Sequence, residues 1–226
     1  DIKLCLFLQK SGFVSDKDAE EALYKILSFV GSSSKNFQLT PCDRINNVYA
    51  VSYKGDRYIL YDSEFMKYIN KNTNEWSNLF ILAHEVGHHI EGHTRDFLLY
   101  ANQILDKPTQ EENRNEELQA DEFAAFILSK MGAELNDLTE IMEVVQPNKY
   151  DVISSYPSKS ERIEAIRKGY ERGKKNEVYI KPRNIVVTKT IDEEKYAYPY
   201  GVYCDRGAEK VKSNDWYGAI IEYSNA

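Results

Sequence analysis

The chain has 226 residues, 42% hydrophobic and 12% aromatic, enough to bury the core of one full domain with an appendage. A net charge of −7 and a pI near 5.3 disfavour nucleic acid or an anionic membrane as the main partner. No stretch approaches the ~18 apolar residues of a membrane span, and Cys5, Cys42 and Cys204 are too scattered for a disulfide framework or a cysteine metal site.

Ser15 to Val30 reads as the first helix, with Ala19, Ala22, Leu23, Ile26, Leu27 and Val30 on one face and Gly31 as its stop. Phe37 to Thr40, Val48 to Tyr53 and Arg57 to Tyr61 read as strands, the last two joined as a hairpin through Lys54-Gly55-Asp56. A short helix over Ser63 to Asn70 precedes a longer one over Asn74 to Ile90. The longer helix carries an apolar stripe at Trp76, Leu79, Phe80, Ala83, Gly87 and Ile90, with Thr73 or Asn74 as N-cap. A polar loop over Asp106 to Asn115 leads to a helix from Glu116 to Met131, stopped by Gly132. Leu135 to Val145 and Ser158 to Arg172 are further helices, ended by Pro147 and Gly173. A small sheet beside a set of helices is an α+β layout.

The chemistry concentrates at His84-Glu85-Val86-Gly87-His88, an H-E-x-x-H pattern on the Asn74 to Ile90 helix. Residues four apart share a helix face, so two imidazoles can grip one Zn²⁺ while Glu85 faces the water on the metal. That water's pKa can fall to about 7, and the carboxylate can take its proton as the water attacks a carbonyl. The alternative is a pair of surface histidines with an accidental glutamate between them. His89 reads as a partner of the site or a surface residue. His93 could face a cleft, but its spacing excludes it as the third ligand.

A third ligand is expected from the helix that opens at Glu116. Glu117 and Asp121 lie four apart on one face, so Glu117 can complete a His₂Glu site with the fourth position left to water. Asp121, one turn on, is placed to accept a hydrogen bond from the outer nitrogen of a liganding histidine and fix its tautomer. Glu116 competes as ligand, but only Glu117 has a carboxylate at i+4. A solvated acidic helix start is the bland alternative.

These motifs resemble the gluzincin metallopeptidases related to the CAAX prenyl protease, HtpX and Oma. That family pairs H-E-x-x-H with a later E-x-x-x-D, matched here by Glu117-Leu118-Gln119-Ala120-Asp121. It also carries His-Pro, a small polar run and Arg-Ile or Arg-Val, matched by Tyr156-Pro157-Ser158-Lys159-Ser160-Glu161-Arg162-Ile163 with Tyr in place of His. Asn46-Asn47-Val48-Tyr49-Ala50 is similar to the family's Asn-Ala-x-Ala edge strand. The resemblance therefore implies that Asn47, Val48, Tyr49 and Ala50 bind substrate backbone. It implies a zincin-like domain with its H-E-x-x-H helix beside a small mixed sheet. Tyr156 can donate to a developing oxyanion, and Arg162 can pair with Asp121 or Glu117 or contact substrate. The structural alternatives are a loop-packing tyrosine and a salt-bridged arginine. The interval from His88 to Glu117 is 29 residues (117 − 88), too short for a transmembrane hairpin, and is similar to that of soluble repressor-cleaving peptidases of the ImmA and IrrE type.

After Lys174 the character changes, which places a domain at 1–174 and an extension at 175–226. Asp215 to Ala226 fits a tetratricopeptide pattern, D-[aromatic]-x-x-A-I-x-x-Y-x-x-A, so residues 207–226 are expected to open a repeat that recruits a protein partner. Asp1 is not Met and no charged, then apolar, leader follows it, so the compartment stays open, leaning cytoplasmic. Two functions remain: a zinc endopeptidase acting on peptides or proteins, or an interaction module with a structural or latent zinc site.

Overall fold

A computed structural model of the chain describes residues 17–31, 37–94, 108–146 and 156–175. Its elements run α1 (Lys17–Val30), β1 (Phe37–Pro41), β2 (Val48–Tyr53), β3 (Asp56–Tyr61), α2 (Ser63–Asn72), α3 (Trp76–Glu91), α4 (Gln110–Met131), α5 (Leu135–Thr139), α6 (Met142–Val145) and α7 (Lys159–Lys174). This is an α+β arrangement. The expected extension at 175–226, its tetratricopeptide-like segment and the strand-like Val178, Ile180, Ile185 and Val187 lie beyond the described residues, save Lys175.

The sheet is small and mixed, in the order β1-β3-β2. β3 runs parallel to β1 and antiparallel to β2, and its last four residues, Tyr58 to Tyr61, are all buried, as suits a central strand covered on both faces. Lys54 (φ 52°) and Gly55 (φ 84°) make the two-residue hairpin turn, whose left-handed backbone matches the twist of the strands. Asp56 therefore belongs to β3 rather than to the turn. β2 is left at the edge.

Asp62 links the sheet to the helices. Its carboxylate caps α2 by accepting from the N–H groups of Glu64 and Phe65, and it also accepts from Asn46 N–H at 3.0 Å. That second bond fixes the backbone just before β2. α3 starts where the Asn74 side chain accepts from Trp76 N–H at 2.9 Å. It ends at Gly92, whose φ of 79° reverses the chain so that His93 N–H meets the His88 carbonyl at 2.9 Å.

α4 begins six residues earlier than the sequence suggests. Thr109 and Glu112 form a reciprocal capping box, which turns 110–115, expected as loop, into the first turns of the helix. The single helix expected over Leu135 to Val145 is two short ones, α5 and α6. Gly173 does not end α7. Gly169 and Gly173 are packing positions: a Cβ on Gly169 would lie 2.1 Å from the Glu122 carbonyl oxygen, and one on Gly173 1.8 Å from Ser129 Oγ. Only glycine lets α7 lie this close against α4.

The main core gathers Leu23, Ile26 and Leu27 of α1 with Phe80, Leu82 and Val86 of α3 and Phe123, Ile127 and Leu128 of α4. A second cluster, Cys42, Val51, Tyr58 and Leu60, covers the other side of the sheet. Cys42 is disulfide-bonded, a link the scattered cysteines did not lead one to expect; Cys5 and Cys204 both lie outside the described residues. Among the described residues no helix is long and apolar enough to cross a membrane.

Candidate metal and catalytic site

Two helices build the site, and a glycine sets their spacing. A Cβ on Gly87 would fall 3.0 Å from Phe123 Cδ1 and 3.3 Å from Ala120 Cα, so α3 and α4 approach closely one turn from His84. This approach brings Glu117 of α4 over the histidine pair of α3. His84 Nε2 lies 3.0 Å from His88 Nε2 and 3.4 Å from Glu117 Oε2, while His88 Nε2 lies 3.6 Å from Glu117 Oε1. A tetrahedral zinc with bonds of 2.0–2.1 Å sets its ligand atoms about 3.3 Å apart, in the middle of these values. His84, His88 and Glu117 are together a group able to hold a metal ion.

Charge favours a cation here. Glu85, Glu117 and Asp121 are grouped around one guanidinium, that of Arg162. A divalent ion would balance the excess, and buried charge is costly when unbalanced. The field shows in His84: burial pulls its pKa down, but hydrogen bonds and charges of Asp121 and Glu117 outweigh this and raise it to about 10. A site that holds a proton so firmly attracts a metal cation to the same nitrogen. His88, buried beside His84, is pushed down to about 3 and stays a neutral donor of its lone pair.

Each histidine is held from behind. His84 Nδ1 donates to Asp121 Oδ1 at 2.9 Å, and Asp121 is 0% exposed. Arg162 at the start of α7 grips that carboxylate with a fork, Nε to Oδ2 and Nη2 to Oδ1, both 2.7 Å. Of the alternatives open from sequence, the pairing with Asp121 is the one present, although Arg162 also lines the cleft. His88 Nδ1 lies 3.2 Å from His93 Nδ1, and His93 Nε2 lies 2.9 Å from Gln119 Oε1. Sequence reasoning left His93 facing a cleft and overlooked Gln119. The signal was available: Gly92 turns the chain back over the last turn of α3, and Gln119 lies two residues after Glu117.

His89 is neither at the surface nor at the metal. It is buried, with Nε2 2.9 Å from the Tyr58 carbonyl and Nδ1 3.1 Å from Thr94 Oγ1, so it ties α3 to the central strand.

Glu85 faces the edge strand. Ala50 N–H donates to Glu85 Oε2 at 2.6 Å, and burial raises the carboxyl pKa to about 7 against the opposing pull of His84. A carboxylate poised near neutrality suits a general base. The Ala50 bond shows which backbone groups of β2 point at the cleft. The Asn47 carbonyl is instead taken by Asp62 N–H at 3.1 Å, so in the alternating ladder Val48 and Ala50 face outward while Tyr49 turns its backbone to β3.

These groups open on one cavity of about 660 Å³. It is lined by Asn47 to Val51, by the metal-site residues and by the apolar side chains of Phe65, Phe80, Ile81, Ile141 and Val145. Tyr156, 51% exposed, and the nearly buried Arg162 line it as well. The Tyr156 carbonyl is pinned by Arg114 Nη1 at 2.8 Å, and Arg114 also binds Glu161.

Residues 98–169, from beyond the H-E-x-x-H helix to α7, match the model of peptidase family M48; the match includes Glu117, Asp121, Tyr156 and Arg162. No curated protein and no solved structure matches the chain significantly.

Proposed function

We propose that the chain is a zinc-dependent endopeptidase whose catalytic domain spans residues 1–174, in line with the family M48 match over residues 98–169. The observation that carries this reading is the convergence of His84 Nε2, His88 Nε2 and a Glu117 carboxylate at near-tetrahedral separations beside a buried Glu85. Zinc held by these three would polarise the scissile carbonyl and acidify the attacking water. Everything else falls to the chain. An extended peptide lies along β2 and pairs with the outward backbone of Val48 and Ala50, as a strand added to a sheet edge. Its side chains meet the apolar lining of the cavity. Glu85 releases Ala50 N–H to the peptide, takes the proton of the attacking water, and hands it to the leaving amine. Tyr156 donates its phenolic O–H toward the oxyanion, and the Arg162 charge, fixed on Asp121, adds a positive field from behind.

A buried Glu85 carboxylate between the edge strand and the cluster favours this over a purely structural zinc site, which has no use for such a base. The test joins metal analysis with a peptide-library digest read by mass spectrometry. About one zinc per chain is expected, with cleavage abolished by chelation and reduced about 10²–10⁴-fold in Glu85→Gln, which keeps its zinc. A folded protein that takes up no zinc, or equal cleavage by wild type and Glu85→Gln, refutes the proposal.

A further inference from the structure

Two of the hydrogen bonds at the site form a chain that nothing in the reaction uses directly: Gln119 Oε1, His93 Nε2, His93 Nδ1, His88 Nδ1. Its polarity follows from hydrogen positions. A carbonyl oxygen such as Gln119 Oε1 only accepts, so the proton between it and His93 belongs to His93 Nε2. A neutral imidazole carries one N–H, so His93 Nδ1 then offers a lone pair. That lone pair faces His88 Nδ1 at 3.2 Å, so the proton between the two rings belongs to His88. His88 Nε2 is then bare and points at His84 Nε2 and Glu117, 3.0 and 3.6 Å away. The reverse polarity would have the Gln119 amide donate to His93 and place the last proton on His88 Nε2, where it blocks a metal.

We infer that His93 and Gln119 are positioning residues that set the tautomer and ring orientation of His88, so that Nε2 is free to bind the metal. The inference rests on the zinc-site reading. His93 is suited to this role because it is 7% exposed, and the Gly92 turn fixes its backbone by the His93 N–H bond to the His88 carbonyl. The two ligands are thus held by unlike means, His84 by a carboxylate and His88 by a second imidazole. Both means draw on α4, the helix that also carries Glu117.

The test uses the full chain and zinc alone. Zinc affinity is measured by chelator competition and the His88 tautomer by long-range ¹H–¹⁵N couplings of the ring. His93→Phe keeps the ring shape and removes the acceptor; it should lose about 10–100-fold in zinc affinity. His93→Gln offers an oxygen to His88 Nδ1–H and an amide N–H to Gln119, and should recover most of that loss. Gln119→Leu should show a mixture of His88 tautomers where the wild type shows Nδ1–H alone. A merely structural role would lower thermal stability equally in Phe and Gln variants and leave the tautomer unchanged; that outcome overturns the inference. Wild-type zinc affinity in His93→Phe overturns it as well. Zinc bound through this chain without any peptide cleavage would refute the peptidase reading and leave this inference standing, whereas a wild type that binds no zinc refutes both.

Discussion

Replacing Arg162 with Met separates two accounts of that residue. Its guanidinium makes two bonds of 2.7 Å to Asp121, which has no exposure to water of its own. Removing one partner of such a pair leaves a buried charge uncompensated, at a typical cost of about 3–5 kcal/mol. The effect should not stop at stability. Asp121 also accepts from His84 Nδ1, so a carboxylate that shifts or takes up a proton lets the His84 ring turn, and lost support of this kind weakens metal binding about 10–100-fold. The assays are urea denaturation in the presence of chelator, for stability alone, and zinc competition, for the site. Asp121→Asn/Arg162→Met should recover part of the stability of Arg162→Met, because it removes the orphaned charge, but not the zinc affinity. If Arg162→Met keeps wild-type stability and zinc affinity and loses only turnover, Arg162 acts on substrate and the positioning argument is wrong.

Three further results are expected. Glu117→Ala should weaken zinc far more than Glu116→Ala, since only Glu117 reaches both imidazoles; equal losses in a competition assay would move the third ligand. Gly169→Ala forces a Cβ to 2.1 Å from the Glu122 carbonyl oxygen, and backbone must move to relieve it. Denaturant midpoints should report a loss of about 1–3 kcal/mol or more, and a change under ~0.5 kcal/mol is incompatible with the α4–α7 approach described. His89 is held neutral by burial down to about pH 4, against 6.5 when unfolded, so the unfolded chain takes up its proton first. Its share of stability is full above pH 6.5 and falls by up to about 1.4 kcal/mol per pH unit between 6.5 and 4. With metal removed, His89→Gln should flatten that part of the pH dependence; a parallel slope in both proteins contradicts it.

The sequence exposed those parts of the structure that short-range spacing determines. The i,i+4 pairs His84/His88 and Glu117/Asp121 lie on single helix faces, and alternation gave β2 its bounds at Val48–Tyr53. It missed features that depend on capping and on contact between helices. The Thr109 capping box lengthened α4 because a threonine and a glutamate three residues later outweigh a polar composition. Gly173 looked like a helix stop because glycine does end many helices. Its use as a packing surface depends on Phe126 and Ser129, nearly fifty positions upstream. His93 was set aside because the known zincin spacing makes it no ligand; Gly92 signals the turn that folds it onto His88, but the contact with Gln119, 26 positions on, is not local.

The same long-range contacts explain why the metal helix needs the rest of the chain. On the proposed reading α3 supplies two ligands and the general base, but it cannot orient either imidazole alone. His84 depends on Asp121 of α4 and, through it, on Arg162 of α7; His88 depends on His93 and, through it, on Gln119 of α4. α7 can deliver Arg162 only by lying against α4 at the Gly169 and Gly173 contacts. α4 can deliver Glu117 only by closing on Gly87 of α3. The M48 match covers α4 and most of α7 and begins beyond H-E-x-x-H. A motif of five residues stands within one helix, while the geometry that would make it a metal site is distributed over the helices that brace it.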